Sequence, residues 1–224
     1  MIRFRVATYN THKSRGMDWR VRPERIVQVL REVDADIVAL QEVIADQLPW
    51  LAEHAGMAHV FGAADHIRGN EYGNLLLSRF PVLGSENYDV SVERREPRRC
   101  LRVDVQPPGG PLLHIFAVHL GTSWFERRRQ ALRLTEILEK TELAGCRVLL
   151  GDFNEWTRGL STRMLSERLS ANHSRTYPGM IPFLHLDHIY HDPELRLTAL
   201  RRHRTRASLL ASDHLPLVAD LEVS

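Results

Sequence analysis

Val148-Leu149-Leu150-Gly151-Asp152-Phe153-Asn154 is the stretch on which the reading of this chain turns. Its apolar start has the length and continuity of a short strand covered on both faces. It stops on a carboxylate and, two residues later, an amide. If the backbone stays extended, that spacing turns Asp152 and Asn154 the same way, toward one ligand. If it bends into an Asx-type turn, the pair is local punctuation instead. Three more segments have the same form. Val6-Ala7-Thr8-Tyr9 ends at Asn10, and Ile37-Val38-Ala39-Leu40-Gln41 ends at Glu42. Leu209-Leu210-Ala211-Ser212, read as strand-like, runs into Asp213-His214. One such segment means little. Four describe a sheet rim where acids, amides and imidazoles gather around a metal ion and a phosphate.

Outward from these segments, Phe4 to Tyr9 and Ile37 to Gln41 read as strands, separated by a helix that opens at Pro23. Proline suits a first helical position, and Ile26, Val27, Val29, Leu30 and Val33 supply an apolar face. Asp46 to His54 reads as a second helix, stopped near Gly56. Strands are expected over Asn74–Ser78, Tyr88–Val92, Cys100–Gln106 and Leu112–Leu120. The turn Pro107-Pro108-Gly109-Gly110-Pro111 makes the last two a hairpin. Trp124 to Thr141 is the clearest amphipathic helix, with Ala131, Leu134, Ile137 and Leu138 on one side. Leu160 to Leu169 reads as helix. Leu186–Tyr190, Leu195–Arg201 and Leu215–Val223 close the chain as strands. Helices fall between groups of strands rather than in strict alternation, which favours an α+β fold of two packed sheets with helices outside.

At 224 residues with 43% hydrophobic content, residues 1–224 read as a single domain with one large core. A formal charge of +2 excludes a polybasic nucleic-acid coat. Of the 30 basic residues only Lys13 and Lys140 are lysine. Arginine forks suit phosphate, although base composition favouring Arg codons also produces such a bias. Two cysteines, Cys100 and Cys146, make no disulfide framework or zinc knuckle. The first motif begins within ten residues of Met1, with no room for a leader. No apolar run reaches membrane-spanning length. A reduced, cytoplasmic monomer is expected, with peripheral contact at a membrane surface left open.

Taken singly, each polar residue has an ordinary structural reading. Asn10 suits a turn, and Glu42 a strand end, where an ionised carboxylate needs a partner or a metal. Leu186-Asp187-His188-Ile189-Tyr190 sets an acid among apolar residues, where its natural partner is an imidazole held in one tautomer. Val118-His119-Leu120-Gly121 puts a histidine at another strand end. The coincidence of all these segments is what points to chemistry.

Together they resemble the endonuclease/exonuclease/phosphatase superfamily, the deoxyribonuclease-I-like fold. The resemblance runs in order through Thr8-Tyr9-Asn10, Leu40-Gln41-Glu42-Val43 and Tyr72-Gly73-Asn74-Leu75-Leu76-Leu77-Ser78-Arg79-Phe80-Pro81. It continues through Val118-His119-Leu120, Gly151-Asp152-Phe153-Asn154, Leu186-Asp187-His188-Ile189 and Ser212-Asp213-His214-Leu215-Pro216. Tyr9-Asn10-Thr11-His12-Lys13 is most similar to a bacterial subgroup of small, cytosolic members. The resemblance implies a four-layer α/β/β/α sandwich with two mixed, mostly antiparallel sheets. It implies Mg²⁺-dependent hydrolysis of a phosphate ester, with Mn²⁺ as a substitute. Glu42 would be the principal metal ligand, with Asn10 and Asp213 completing or adjoining the site. Asp152 would orient or deprotonate the attacking water, and Asn154 would hold the phosphate. His214, braced by Asp187, would neutralise a phosphoryl oxygen or shuttle a proton. His119 would contact phosphate or protonate the leaving oxygen. Several nucleases of the superfamily carry an acid near position 12, whereas His12 and Lys13 stand here, so these two are assigned to phosphate. Tyr72 and Asn74 lie near the site in relatives, and one of them is expected to support His119.

The partner is a phosphate ester. A nucleic-acid or nucleotide phosphodiester is the leading substrate, a phospholipid or inositol phosphate the alternative, and a non-catalytic phosphate-binding module of the same fold the rival class. Arg94–Arg99 and Arg201–Arg206 would give a positive rim if they flank the cleft. Trp124, Phe125 and Trp156 would wall it, stacking on a base or touching lipid; ordinary core packing is their structural alternative.

Overall fold

Continuous apolar runs leave no polar face for water, so such strands belong in the middle of covered sheets. A computed structural model, which describes residues 1–67, 69–140, 144–156 and 159–223, places them there. In the first sheet β1 (Ile2–Asn10) and β2 (Ile37–Ile44) lie parallel, joined by α1 (Pro23–Val33). In the second, β7 (Leu113–His119) and β8 (Cys146–Asp152) lie parallel, joined by α3 (Trp124–Lys140), with α2 (Leu48–Ala55) earlier in the chain. The other strands are β3 (Ala58–Ile67), β4 (Asn70–Ser78), β5 (Val82–Asp89), β6 (Arg99–Val105), β9 (Ser170–His173), β10 (Asp187–His191), β11 (Arg196–Arg202) and β12 (Leu217–Val223). All of them pair antiparallel, giving six-stranded orders β11-β12-β1-β2-β4-β3 and β5-β6-β7-β8-β10-β9. Two short helices, α4 (Leu160–Ser166) and α5 (Arg206–Ala211), and two single 3-10 turns, His12–Ser14 and Ala45–Gln47, complete the described elements.

Side-chain alternation along β2 shows how the layers form. Ile37 and Ala39 join Val6, Ile115, Val148 and Leu150 in the core between the sheets. Val38 and Leu40 turn the other way, onto Ile26, Val29 and Leu51 of α1 and α2. On the far side Phe116, Val118 and Leu149 pack against Leu134 and Leu138 of α3 and Leu165 of α4. The result is the α/β/β/α sandwich, an α+β fold with mixed sheets. Phe116 is fully buried. Phe116→Ala is therefore expected to cost about 3–5 kcal/mol, read as a lower denaturant midpoint at unchanged slope.

The termini of these strands explain why the polar motifs meet. Asn10 is opposite Gln41, and His119 is opposite Asp152, at the carboxyl ends of the two parallel pairs. The antiparallel neighbours begin at the same edge: Asp187 opens β10 opposite Asp152, and Asp213-His214 leads into β12. Gly151 is required for this approach, because a Cβ there would lie 1.9 Å from the Val118 carbonyl oxygen.

Several expectations need correcting. Leu209-Leu210-Ala211 is not strand but the end of α5, whose capping box pairs Thr205 and Ser208. Ala207 and Ala211 pack on the α1 side of the first sheet, and that packing decides an apolar run too short to choose for itself. The expected strand at Tyr88–Val92 lies earlier, at Val82–Asp89. The helix read over Leu160–Leu169 ends at Ser166. Edge strands β3 and β9 gave no readable alternation. The end of the Trp124 helix expected at Thr141 lies outside the described residues.

Candidate active site

At the strand ends lies a cleft of about 390 Å³. Asn10, Lys13, Glu42, Tyr72, His119, Asp152, Asn154, Asp213 and His214 line it, together with Arg98, Trp156 and Tyr177. A larger depression, about 670 Å³, opens near Arg3 and Arg5 at the opposite end of β1. Its acids are salt-bridged, Asp220 to Arg5 and Asp34 to Arg79, and no imidazole lines it among the described residues.

Glu42 reaches the cleft through a β-bulge. The register between β2 and β4 shifts between Leu40 and Val43, and Glu42 itself has φ 59°. A bulge re-aims a side chain that regular alternation would send elsewhere, and a non-glycine residue in the left-handed region commonly marks a functional position. Glu42 Oε2 accepts from Lys13 Nζ at 2.6 Å, and Oε1 from Asn10 Nδ2 at 3.3 Å. His12, Lys13 and Ser14 all have positive φ, which folds the loop after β1 back over Glu42. Of the two residues assigned to phosphate, Lys13 lines the cleft directly, and His12 Nδ1 lies 3.6 Å from Oδ1 of Asp213, another lining residue.

Asp152 is the centre of the arrangement. Its Oδ1 accepts from the Asn154 backbone N–H at 2.8 Å, and its Oδ2 from Asn10 Nδ2 at 2.9 Å. The same Oδ2 lies 3.8 Å from His119 Nε2 and 3.8 Å from His214 Nε2. Asn154 has φ 50°, so the chain does turn after β8 rather than staying extended. The turn nevertheless leaves both side chains on the cleft, with Asn154 Nδ2 anchored to the Leu120 carbonyl at 2.9 Å.

His214 Nδ1 donates to Asp187 Oδ2 at 2.9 Å, and Thr176 Oγ1 donates to the same oxygen at 2.5 Å. Asp152, Asp187 and His214 each offer one ligand-type atom within 4.8 Å of the others, the one such cluster among the described residues. Burial works against an imidazolium, but Asp187, Asp152 and Asp213 outweigh it and hold His214 well above the usual imidazole range. Burial, then Asp187, pushes Asp152 above the usual carboxylate range, against His214 and the bonds from Asn10 and Asn154. The cluster thus reads as a charged ring between two acids. Burial also opposes ionisation of Glu42, yet His119 and Lys13, with bonds from Lys13 and Asn10, hold its carboxyl at about 2. His119 is itself pushed down to about 3, by burial and then Arg98. At neutral pH Lys13 is therefore the cation that keeps Glu42 charged.

Neither Tyr72 nor Asn74 is the direct partner of His119 Nδ1, although Tyr72 hydrogen-bonds to Arg98, which holds that ring. Asn74 Nδ2 donates to the carbonyls of Arg99 and Ala117, tying β4 to the second sheet. The partner of His119 Nδ1 is Arg98 Nη1, at 2.9 Å. Arg98 was legible only as one of a charged run; its burial is the missing signal. Arg127 and Gln130 were missed altogether: they hold the loop after His119 through the Thr122 carbonyl at 2.5 Å and the Gly121 N–H at 2.9 Å. Of the second arginine run, Arg201 pairs with Asp220 and His203 with Glu32, which dilutes the expected positive rim.

The model of the Endonuclease/Exonuclease/phosphatase family matches residues 7–214. The chain belongs to this family. Members of the endonuclease/exonuclease/phosphatase family hydrolyse phosphate esters and generally use a divalent metal. Among relatives, the chain is 31% identical to "Uncharacterized protein YbhP" of Escherichia coli (strain K12), over 98% of this chain and 96% of that protein. Among solved structures of this fold, the mannosyl-6-phosphatase Bt3783 of Bacteroides thetaiotaomicron VPI-5482 is similar with TM-score 0.79 and 20% identity, covering 98% of this chain and 99% of that one. D. rerio TDP2, complexed with single strand DNA product, is similar with TM-score 0.79 and 15% identity, covering 100% of both chains. At these identities the two structures show the family's shared fold.

Proposed function

We propose that this family member is a Mg²⁺-dependent phosphodiesterase, accepting Mn²⁺, that hydrolyses a nucleic-acid or nucleotide phosphodiester by in-line attack of water. The observation that carries the reading is Asp152 Oδ2, held by Asn10 and facing the Nε2 atoms of both His119 and His214. A carboxylate so placed orients a water and takes its proton, while two imidazoles flank the position of a phosphoryl group.

The donor set fits the metal. Glu42 already accepts a cation, the Lys13 ammonium at 2.6 Å, and the cleft offers hard oxygen ligands. Magnesium is held by one or two carboxylates and keeps several waters, so a closed protein cage is not required. Glu42 would be the principal ligand, with Asp213 and the Asn10 amide adjoining. When bound, the metal supplies Lewis-acid neutralisation of phosphoryl charge. The remaining work belongs to side chains of the chain itself. Asn10 and Asn154 hold Asp152 in one orientation, His214 carries positive charge to the phosphoryl oxygens under the hold of Asp187, and Lys13 adds charge at the entrance.

For the substrate, Trp156 is 63% exposed on the cleft, and Tyr177 lines the same space. Exposed aromatic rings beside a phosphate site offer stacking platforms for bases, worth about 1–3 kcal/mol each. Trp156→Ala is expected to raise KM for single-stranded DNA by roughly tenfold or more on that basis. Turnover of a small phosphodiester that carries neither base nor aromatic ring should be unaffected. A phospholipid or inositol phosphate is the second reading, favoured by exposed Met180, Ile181 and Phe183 in the segment between Tyr177 and Leu186. We place this activity in a single-domain cytoplasmic monomer; no described helix is long and apolar enough to cross a membrane.

The test is a Mg²⁺- and Mn²⁺-dependent screen of single-stranded DNA, duplex DNA, RNA, bis-p-nitrophenyl phosphate, the monoester p-nitrophenyl phosphate and phospholipid vesicles, with calorimetric titration of inorganic phosphate beside it. Hydrolysis of DNA or RNA supports the proposal. Hydrolysis of phospholipid alone moves the assignment to the second reading, activity on monoesters alone leaves a phosphatase, and phosphate binding without turnover identifies a binding module.

A further inference from the structure

Arg98 belongs to a run of arginines that suggests a solvated rim, yet it is only 6% exposed and turns into the cleft. Its Nη1 lies 2.9 Å from His119 Nδ1, and its Nη2 lies 2.9 Å from Glu96 Oε2, which holds the guanidinium in place. A guanidinium has N–H donors and no lone pair to offer, and it does not deprotonate in proteins. Nδ1 of His119 must therefore be the acceptor. The one ring proton is then on Nε2, the nitrogen that faces the cleft beside Asp152 and Glu42.

This direction of bonding has a chemical consequence. A histidine that protonates a leaving oxygen starts with protons on both nitrogens, and a second proton on Nδ1 would point directly at an Arg98 N–H. We propose that Arg98 is a positioning residue that locks His119 as a single-tautomer Nε2–H donor to a phosphoryl oxygen, which removes it as the source of the leaving-group proton. Of the two functions that the family resemblance leaves open for His119, this selects phosphate contact. The inference rests on the phosphoesterase reading for its role in turnover, whereas the tautomer itself does not depend on any activity.

The test uses the full chain labelled with ¹⁵N-histidine and long-range ¹H–¹⁵N correlation spectra at neutral pH, assigned with His119→Gln. His119 should show a protonated Nε2 and a bare Nδ1. Arg98→Met removes the donor and should turn this into a mixed-tautomer or doubly protonated pattern, while the signals of His114, buried against Asp104, stay in place and report an intact fold. Arg98→Lys, which restores a donor, should return the single tautomer. In turnover, Arg98→Met should lower kcat by on the order of 10²-fold, the scale of one preorganised donor, with a smaller change in KM, and Arg98→Lys should recover most of the loss. A proton on Nδ1 in the unaltered protein overturns the proposal whatever the variants do, as does an Arg98→Met spectrum identical to that of the unaltered chain. If no phosphate ester is hydrolysed, the spectra still decide the tautomer, so failure of the enzymatic reading is told apart from failure of this one.

Discussion

Asp152→Asn will lower kcat by roughly 10²- to 10⁴-fold, the range for a positioned proton acceptor, with little change in KM. Both Asp152 oxygens accept from N–H donors, Oδ1 from the Asn154 backbone and Oδ2 from Asn10. An amide has one oxygen and one NH₂, so one of these contacts becomes donor against donor. Whichever way the amide turns, it cannot take the proton of the attacking water. The fold should survive, because the substitution also removes the cost of a fully buried carboxylate. Single-turnover measurements separate the chemical step from binding. A kcat within a few-fold of the unaltered enzyme would remove Asp152 from the reaction and leave it a turn residue.

Glu42→Gln should cost roughly 10³-fold in activity, equivalent to about 4 kcal/mol at 1.4 kcal/mol per tenfold change. The substitution keeps shape, and its oxygen can still accept from Asn10, but the charge facing Lys13 is gone. If Glu42 is the principal ligand, calorimetric titration with Mn²⁺ will show weakened binding, and high metal concentration will recover part of the activity. Unchanged metal affinity with lost turnover would instead make Glu42 a partner of Lys13, and the metal would have to be sought at Asp213.

The central strands and α1 were legible because their patterns serve one purpose each: apolar continuity for burial on two faces, and a proline-led amphipathic face for packing. The hairpin at Pro107–Pro111 was equally readable from its turn residues. What failed were elements that depend on neighbours. Residues 209–211 carry two leucines and an alanine, and only contact with α1 and the Thr205 cap make them helix. β3 is an edge strand with half-exposed residues on both faces, so it has no clean alternation to read.

In the site, the chemistry-bearing residues were visible as strand-end motifs, and the cleft brings most of them together. Their hydrogen-bond directions were not visible. Asn74 proved to be a bracket between the sheets, and His12 stands beside Asp213 at the cleft wall. Arg98 is buried where Arg94 and Arg95 are exposed, a difference that no local pattern records.

The order of the strands carries a consequence for the newly made chain. The whole second sheet comes from one uninterrupted stretch, β5 to β10, whereas β1 sits between β2 and β12, strands far apart in sequence. As the polypeptide leaves the ribosome, Glu42, His119 and Asp152 can each be in place while β1 still waits for its second neighbour. His214 arrives immediately before that neighbour. Closing the sheet and completing the cleft are then a single late event, and a partly synthesised chain holds its acids without the imidazole that faces them.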